Sequence, residues 1–186
     1  MYRVIENNMN LIYNPLPRPI VMQLNDMCTH HQFPWYHVAD TTFNDGRPNP
    51  YGDEYKSSSF AHQVIDEYNP VSDHASYFMS ALYCIADQAQ YNVRDIYRVR
   101  LGLCYPDDLK HHTPHTDYEW QHTTCLYYVN KSDGDTYFFS ENGDITGQVT
   151  PERGKMVVFD GLTKHASSAP TKGIRIAMNV NFKRLI

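Results

Sequence analysis

The sequence predicts a mainly β domain buttressed by helices, of sandwich or barrel type. Two stretches in the first half have helical apolar spacing, and after residue 95 short β-rich runs alternate with turn residues to the end. No repeat or linker divides the 186 residues, which implies a single domain over 1–186, with a helical and loop flank over 1–95 and a β core over 96–186. Aromatic residues make up 13% of the chain, including 15 tyrosines, which suits a fold whose pockets need both ring area and hydroxyls.

The first helix is expected over 15–31. Pro15, Pro17 and Pro19 crowd its start, where proline is tolerated, and Ile20, Val21, Leu24 and Met27 follow at helical spacing. Residues 33–38 read as a short aromatic strand. Residues 40–60 hold Gly46, Pro48, Pro50, Gly52 and three serines, and are expected to form a long loop that closes over bound substrate as a lid. A second helix fits 73–91, capped by Ser72 or Asp73 and ended by Asn92, with Phe78, Met79, Leu82, Ile85 and Ala86 on one face. Strands are expected at 97–105, 123–130, 135–139, 147–150, 155–159, 165–169 and 174–183. Turns at Asp133-Gly134, Asn142-Gly143, Gly161 and 170–173 separate them.

The formal net charge is −5 and no dense Lys/Arg run occurs, which argues against a nucleic-acid partner. No apolar stretch is long enough for a bilayer, and the first residues lack the apolar core of a secretion signal. Cys28, Cys84, Cys104 and Cys125 form no CxxC pair and read as reduced thiols. A cytoplasmic protein is the expectation.

The most informative stretch is His111-His112-Thr113-Pro114-His115-Thr116-Asp117. On an extended backbone residues two apart face the same way, so His115 and Asp117 can present an imidazole and a carboxylate to one ion. HxD alone is a weak pattern in a chain with ten histidines. His165, just after the apolar run Met156-Val157-Val158-Phe159, supplies a third ligand. Two histidines and a carboxylate on one face leave room for a bidentate cosubstrate and oxygen, which suits Fe(II). Arg175 lies ten residues beyond His165. A hairpin centred on Pro170 would set the two across from each other, aiming a carboxylate-gripping guanidinium into the same cavity. From Ile174 to Phe182 apolar residues alternate with Arg175, Ala177, Asn179 and Asn181.

In order, His115-Thr116-Asp117, Thr124-Cys125-Leu126-Tyr127-Tyr128-Val129-Asn130, Gly154-Lys155-Met156-Val157-Val158-Phe159, His165 and Arg175 resemble the prolyl-4-hydroxylase-like branch of the 2-oxoglutarate/Fe(II) oxygenases, over roughly residues 97–183. Phe33-Pro34-Trp35-Tyr36 is similar to small bacteriophage-encoded members. The resemblance implies a double-stranded β-helix core, a jelly-roll of cupin-like form. It implies Fe(II) on His115, Asp117 and His165, and the far carboxylate of 2-oxoglutarate on Arg175 and Tyr128, with Tyr105 near the cosubstrate. Ala177 leaves space for the bound acid, whereas Asn179 and Asn181 depart from the bulkier or hydroxylic residues of several relatives.

The implied activity is 2-oxoglutarate- and O2-dependent hydroxylation of an unactivated C–H, forming succinate and CO2. The substrate is a peptide, protein or small molecule, with a peptidyl proline or other amino-acid side chain foremost. Related halogenases lack the carboxylate, so Asp117 favours hydroxylation. The alternative is a non-catalytic metal- or ligand-binding jelly-roll. His111 and His112 are expected on the preceding loop, solvated or substrate-facing. His122, Tyr127 and Tyr137 are assigned to ordinary core or surface roles.

Overall fold

The computed structural model describes residues 1–6, 9–42 and 52–184. A hairpin comes first, β1 (Tyr2–Glu6) and β2 (Met9–Tyr13), then helix α1 (Arg18–Thr29) and a short strand β3 (Tyr36–Val38). Strand β4 (Ser59–Asp66), the two-residue β5 (Asn69–Pro70) and helix α2 (Ala75–Ala89) follow. The rest is β: β6 (Ile96–Cys104), β7 (Thr123–Tyr128), β8 (Thr136–Phe139), β9 (Ile145–Val149), β10 (Lys155–Asp160), β11 (His165–Ser167) and β12 (Arg175–Phe182).

Each expected C-terminal strand is present within a few residues. The flank is less helical than its sequence suggests, because β1 to β5 join the large sheet. That sheet runs β1-β2-β10-β7-β12-β6-β4-β3, with β5 beside β4, and a small sheet runs β11-β8-β9. All the pairings are antiparallel. Two facing antiparallel sheets with helices on the outside make the expected jelly-roll.

Helix α1 begins as the prolines suggest, with Pro17 as N-cap and Pro19 in its first turn. It buries Leu24 and Cys28, one turn apart, against the large sheet. Helix α2 lays Phe78, Leu82, Ile85 and Ala86 on the same sheet face. Its N-terminus differs from expectation. The N-cap is His74, whose backbone N–H donates to the Ser72 hydroxyl at 2.9 Å, and no side chain caps the helix itself. The helix ends at Gln90, in the left-handed region (φ 62°), while Asn92 caps the next turn, Val93–Asp95. At the tip between β8 and β9, Gly143 (φ 89°) takes the turn that Asn142-Gly143 predicts.

Strand β12 shows how the layers divide. Ile176, Met178, Val180 and Phe182 face the helices, packed with Val99, Leu101, Cys125, Tyr127 and Met156. Ala177 faces the small sheet, with Leu126, Tyr128, Val157, Phe159 and Phe138. Tyr127 belongs to the core as expected, although its hydroxyl has no partner among the described residues. All four cysteines are free. No helix among the described residues is long and apolar enough to cross a membrane.

Strand β4 replaces the last two residues of the expected 40–60 loop, and residues 43–51 of that loop lie outside the described residues. Its described ends are fastened near the HxD segment. Thr41 N–H donates to Ser57 O at 2.8 Å, and the Thr113 hydroxyl donates to Tyr55 O at 3.3 Å.

Candidate metal centre and cosubstrate cavity

The inner face of the large sheet is a ladder of three strands. Register places Gly102, Ala177 and Tyr128 on one rung, Arg100, Asn179 and Leu126 on the next, and Arg98, Asn181 and Thr124 on the third. Directly paired residues project to the same side, so register alone aims these groups inward. Across the cavity, His115 and His165 form an isolated bridge, each N–H donating to the other's carbonyl at 3.0 and 2.9 Å.

The bridge holds the two imidazole rings 4.8 Å apart, centroid to centroid. His115 Nδ1 lies 2.9 Å from Thr113 O and His165 Nδ1 3.1 Å from Thr163 O. A carbonyl only accepts, so both Nδ1 atoms carry the proton and both Nε2 atoms are left with a lone pair. Burial lowers the pKa of both rings, and that of His115 to about 4, with His165 beside it adding to the effect. Neutral imidazoles are the form that ligates metal.

Asp117 completes the cluster. The candidate ligand atoms of His115, Asp117 and His165 lie within 4.8 Å of one another. Burial alone would raise the Asp117 carboxyl, but Arg98 and then the two histidines hold it well below the usual carboxylate range. Arg98 Nη2 donates to Oδ1 at 2.7 Å, and Asn181 Nδ2 to Oδ2 at 2.9 Å. Asn179 Nδ2 reaches both oxygens, at 3.1 and 3.0 Å, and the Thr124 hydroxyl donates to Oδ2 at 3.3 Å. Arg98 Nε also donates to Asn181 Oδ1 at 2.9 Å, so the cradle is one network. Sequence reasoning missed Arg98 and Thr124, whose only signal is register across three strands. The two asparagines, noted as departures, orient the carboxylate. Two imidazoles with free Nε2 and an ionised carboxylate fit a divalent iron-type ion, as such a donor set predicts.

Arg175 enters the same cavity, but by a different route from the one expected. β11 pairs with β8 in the small sheet, while β12 lies between β6 and β7 in the large one, so 165 and 175 do not face each other across a hairpin. Residues 170–173 carry the chain from one sheet to the other. They are pinned by Asp133, which accepts from the Thr171 N–H at 3.0 Å and from its hydroxyl. Arg175 is buried, with Nε donating to Gly134 O and Nη2 to Thr136 Oγ1, both at 2.9 Å. Gly134 must be glycine, because a Cβ there would lie 2.6 Å from Ser168 O. The other terminal nitrogen of Arg175 makes no hydrogen bond among the described residues.

Tyr128 lies beside Arg175, its ring centroid 5.8 Å from the guanidinium carbon. Its hydroxyl donates to Thr136 Oγ1 at 2.8 Å, and burial pushes its pKa up to about 12. It therefore backs the cavity through Thr136, which lines it. Tyr105 does not line the cavity. It follows the last residue of β6, is 54% exposed, and its ring packs edge-on to Phe60. His112 is neither solvated nor facing the cavity. It is buried, with Nε2 3.0 Å from Asp107 Oδ2 and Nδ1 2.9 Å from Ser167 Oγ. His111 stacks on Tyr55 at 5.4 Å. His122 is a packing residue, buried against Gly161.

Residues 102–183 match the family model of the 2OG-Fe(II) oxygenase superfamily. That segment, the β core that holds the His-Asp-His cluster, is similar to a 2OG-Fe(II) oxygenase domain. The cofactors of the chain are Fe(II), 2-oxoglutarate and O2, and it is an enzyme of the non-haem dioxygenase kind. No curated protein matches the chain. Among solved structures it is similar to an oxidoreductase of the 2OG-Fe(II) oxygenase family from Burkholderia pseudomallei, at TM-score 0.71 and 12% identity, over 97% of this chain and 87% of that one. It is also similar to a Pseudomonas putida prolyl-4-hydroxylase, at TM-score 0.60 and 14% identity over 95% and 93%. A viral collagen prolyl hydroxylase from Paramecium bursaria Chlorella virus-1, solved with 2-oxoglutarate, matches at TM-score 0.60 and 12% identity, over 96% and 97%. At these identities the likeness is one of oxygenase fold.

Proposed function

We propose that this oxygenase hydroxylates an unactivated C–H of an amino-acid side chain, with a peptidyl proline foremost, and releases succinate and CO2. The observation that carries the reading is the convergence of His115, Asp117 and His165 in one cavity with Arg175. Fe(II) with 2-oxoglutarate and O2 supplies the oxidising chemistry. His115 and His165 offer Nε2 to the ion, and Asp117 offers a carboxylate fixed by Arg98, Asn179 and Asn181. Arg175 grips the far carboxylate of 2-oxoglutarate with its spare nitrogen, and Tyr128 and Thr136 hold that guanidinium in place. Gly102 and Ala177, with almost no side chain, leave the intervening space for the cosubstrate.

The cavity holds about 100 Å³, below the roughly 300–1,000 Å³ typical of ligand pockets, so a peptide would lie across its mouth with one side chain inserted. The presence of prolyl hydroxylases among the similar structures supports a prolyl substrate.

The crowding of Asp117 by protein donors favours one second reading, a jelly-roll that binds metal or ligand without turnover. Anaerobic Fe(II) titration, followed by succinate release on admitting O2, separates the two. Stoichiometric Fe(II) with succinate formation supports the enzyme, and a peptide screen for oxygen-dependent mass gain then finds the acceptor. Fe(II) and 2-oxoglutarate binding without any succinate would favour the binding protein.

A further inference from the structure

On the middle rung of the ladder, Asn179 uses only its amide nitrogen in the chemistry described so far, and Arg100 takes no part in it. Arg100 lines the cavity and is partly buried, yet its guanidinium makes no hydrogen bond or ion pair among the described residues. Burial and the like charge of Arg98 both disfavour its charged form. Paired with it across the strands is Asn179, whose Oδ1 is buried without a partner. The orientation of that amide is fixed, because its nitrogen must face the Asp117 carboxylate, which only accepts. An unused cation and an unused acceptor therefore stand side by side, which is costly unless a ligand satisfies both.

Charge in the cavity points the same way. Among the described residues that line the cavity, Arg98, Arg100 and Arg175 share a single carboxylate, Asp117. A divalent ion and a dianionic cosubstrate cancel each other, so the positive excess persists in the loaded site although the chain as a whole carries −5. Arg175 and the Arg100–Asn179 rung are four residues apart along β12, about 13 Å at strand rise, with only the Gly102–Ala177 rung between them. The cosubstrate held on Arg175 offers no hydrogen-bond donor for Asn179 Oδ1. A group that satisfies this rung brings both an anion and a hydrogen-bond donor.

We propose that the Arg100–Asn179 rung recognises the primary substrate through a carboxylate placed on Arg100 and a neighbouring N–H donated to Asn179 Oδ1, the pairing that an amino-acid headgroup presents. This rests on the oxygenase reading above and narrows its substrate to a carboxylate-bearing one. The carboxylate comes either from a free amino acid or from an acidic residue beside the target in a peptide.

The test follows the arginine Nε–H signals by NMR in the Zn(II)-loaded protein with excess 2-oxoglutarate. Arg100→Lys assigns the Arg100 signal. Titrated acetate should shift that signal saturably and leave that of Arg175 in place. A silent Arg100, or one already moved by 2-oxoglutarate alone, overturns the proposal. Binding is then compared for L-proline against L-prolinamide, and for capped Gly-Pro-Asp-Gly against Gly-Pro-Asn-Gly. The preferred pair identifies the source, with about a tenfold bias toward the acid, the scale of one charge-assisted hydrogen bond. Arg100→Gln should erase the bias. Equal binding of acid and amide in both pairs also overturns the proposal. A protein that binds neither Zn(II) nor 2-oxoglutarate sinks the oxygenase reading instead, while acetate alone still reads Arg100.

Discussion

The two faces of β12 do opposite work. Toward the helices, Ile176, Met178, Val180 and Phe182 are held by close packing, where any apolar group of similar volume serves. Toward the cavity, Arg175, Asn179 and Asn181 are held by hydrogen bonds whose partners are single atoms on neighbouring strands. The packed face carries stability and tolerates exchange, whereas the bonded face carries direction and does not. Truncations on the packed face should therefore destabilise the protein, and substitutions on the bonded face should silence it.

Asp117→Ala should have the largest effect because it crosses that division. Turnover should vanish and Fe(II) affinity fall. It also strands the half-buried Arg98, which should cost up to about 3 kcal/mol of metal-free stability, the low end for breaking a buried pair. Adding Arg98→Met should restore much of the melting temperature and none of the succinate. A single variant with full turnover would remove Asp117 from the ligand set.

Arg175→Ala comes next, weakening 2-oxoglutarate binding by about 2–5 kcal/mol, roughly 30- to 4,000-fold, with Fe(II) affinity little changed. Calorimetric titration of both proteins checks it, and equal cosubstrate affinities would contradict the cavity as drawn. On the packed face, Met178→Ala should cost about 2–5 kcal/mol of stability in urea unfolding. Its Fe(II) and cosubstrate affinities should stay near normal at temperatures where it is folded, and a selective loss of binding would blur the division between faces. The smallest effect is expected of Tyr128→Phe. Its hydroxyl bonds to Thr136 rather than facing the cavity, so about 0.5–1.5 kcal/mol is expected, the worth of a neutral hydrogen bond. A loss on the scale of Arg175→Ala would mean that the phenol contacts the ligand directly.

The contrast between faces also explains what the sequence could reveal. The C-terminal strands were legible because alternation and turn residues mark them, as in β12 and in the Asn142-Gly143 tip. β4 was not, because its run Ala61-His62-Gln63-Val64 has no clean period and His62 is buried. The β1–β2 hairpin was lost to a reading that gave the flank to helix and loop. The convergence of His115, Asp117, His165 and Arg175 in one cavity was anticipated from type and spacing. The hairpin argument that joined the last two was wrong in route, since two sheets rather than two paired strands bring them together. Arg98, Thr124 and the roles of Asn179 and Asn181 depend on which residues sit opposite across three strands, and a linear sequence does not carry that. Tyr105 was set near the cosubstrate by the family resemblance, but β6 ends one residue earlier and lets it turn outward.

The bare rung at Gly102 and Ala177 has a consequence for how such a site can change. A methyl group at 102 would meet nothing within 4 Å, so the backbone there does not require glycine and the hollow is kept by side-chain size alone. Glycine inside a strand sacrifices roughly 0.5–1 kcal/mol relative to alanine through chain entropy. Enlarging this position should therefore firm the sheet while shortening the chamber. Gly102 is thus a natural dial for the room left to the cosubstrate, one that evolution or an engineer could turn without touching His115, Asp117 or His165.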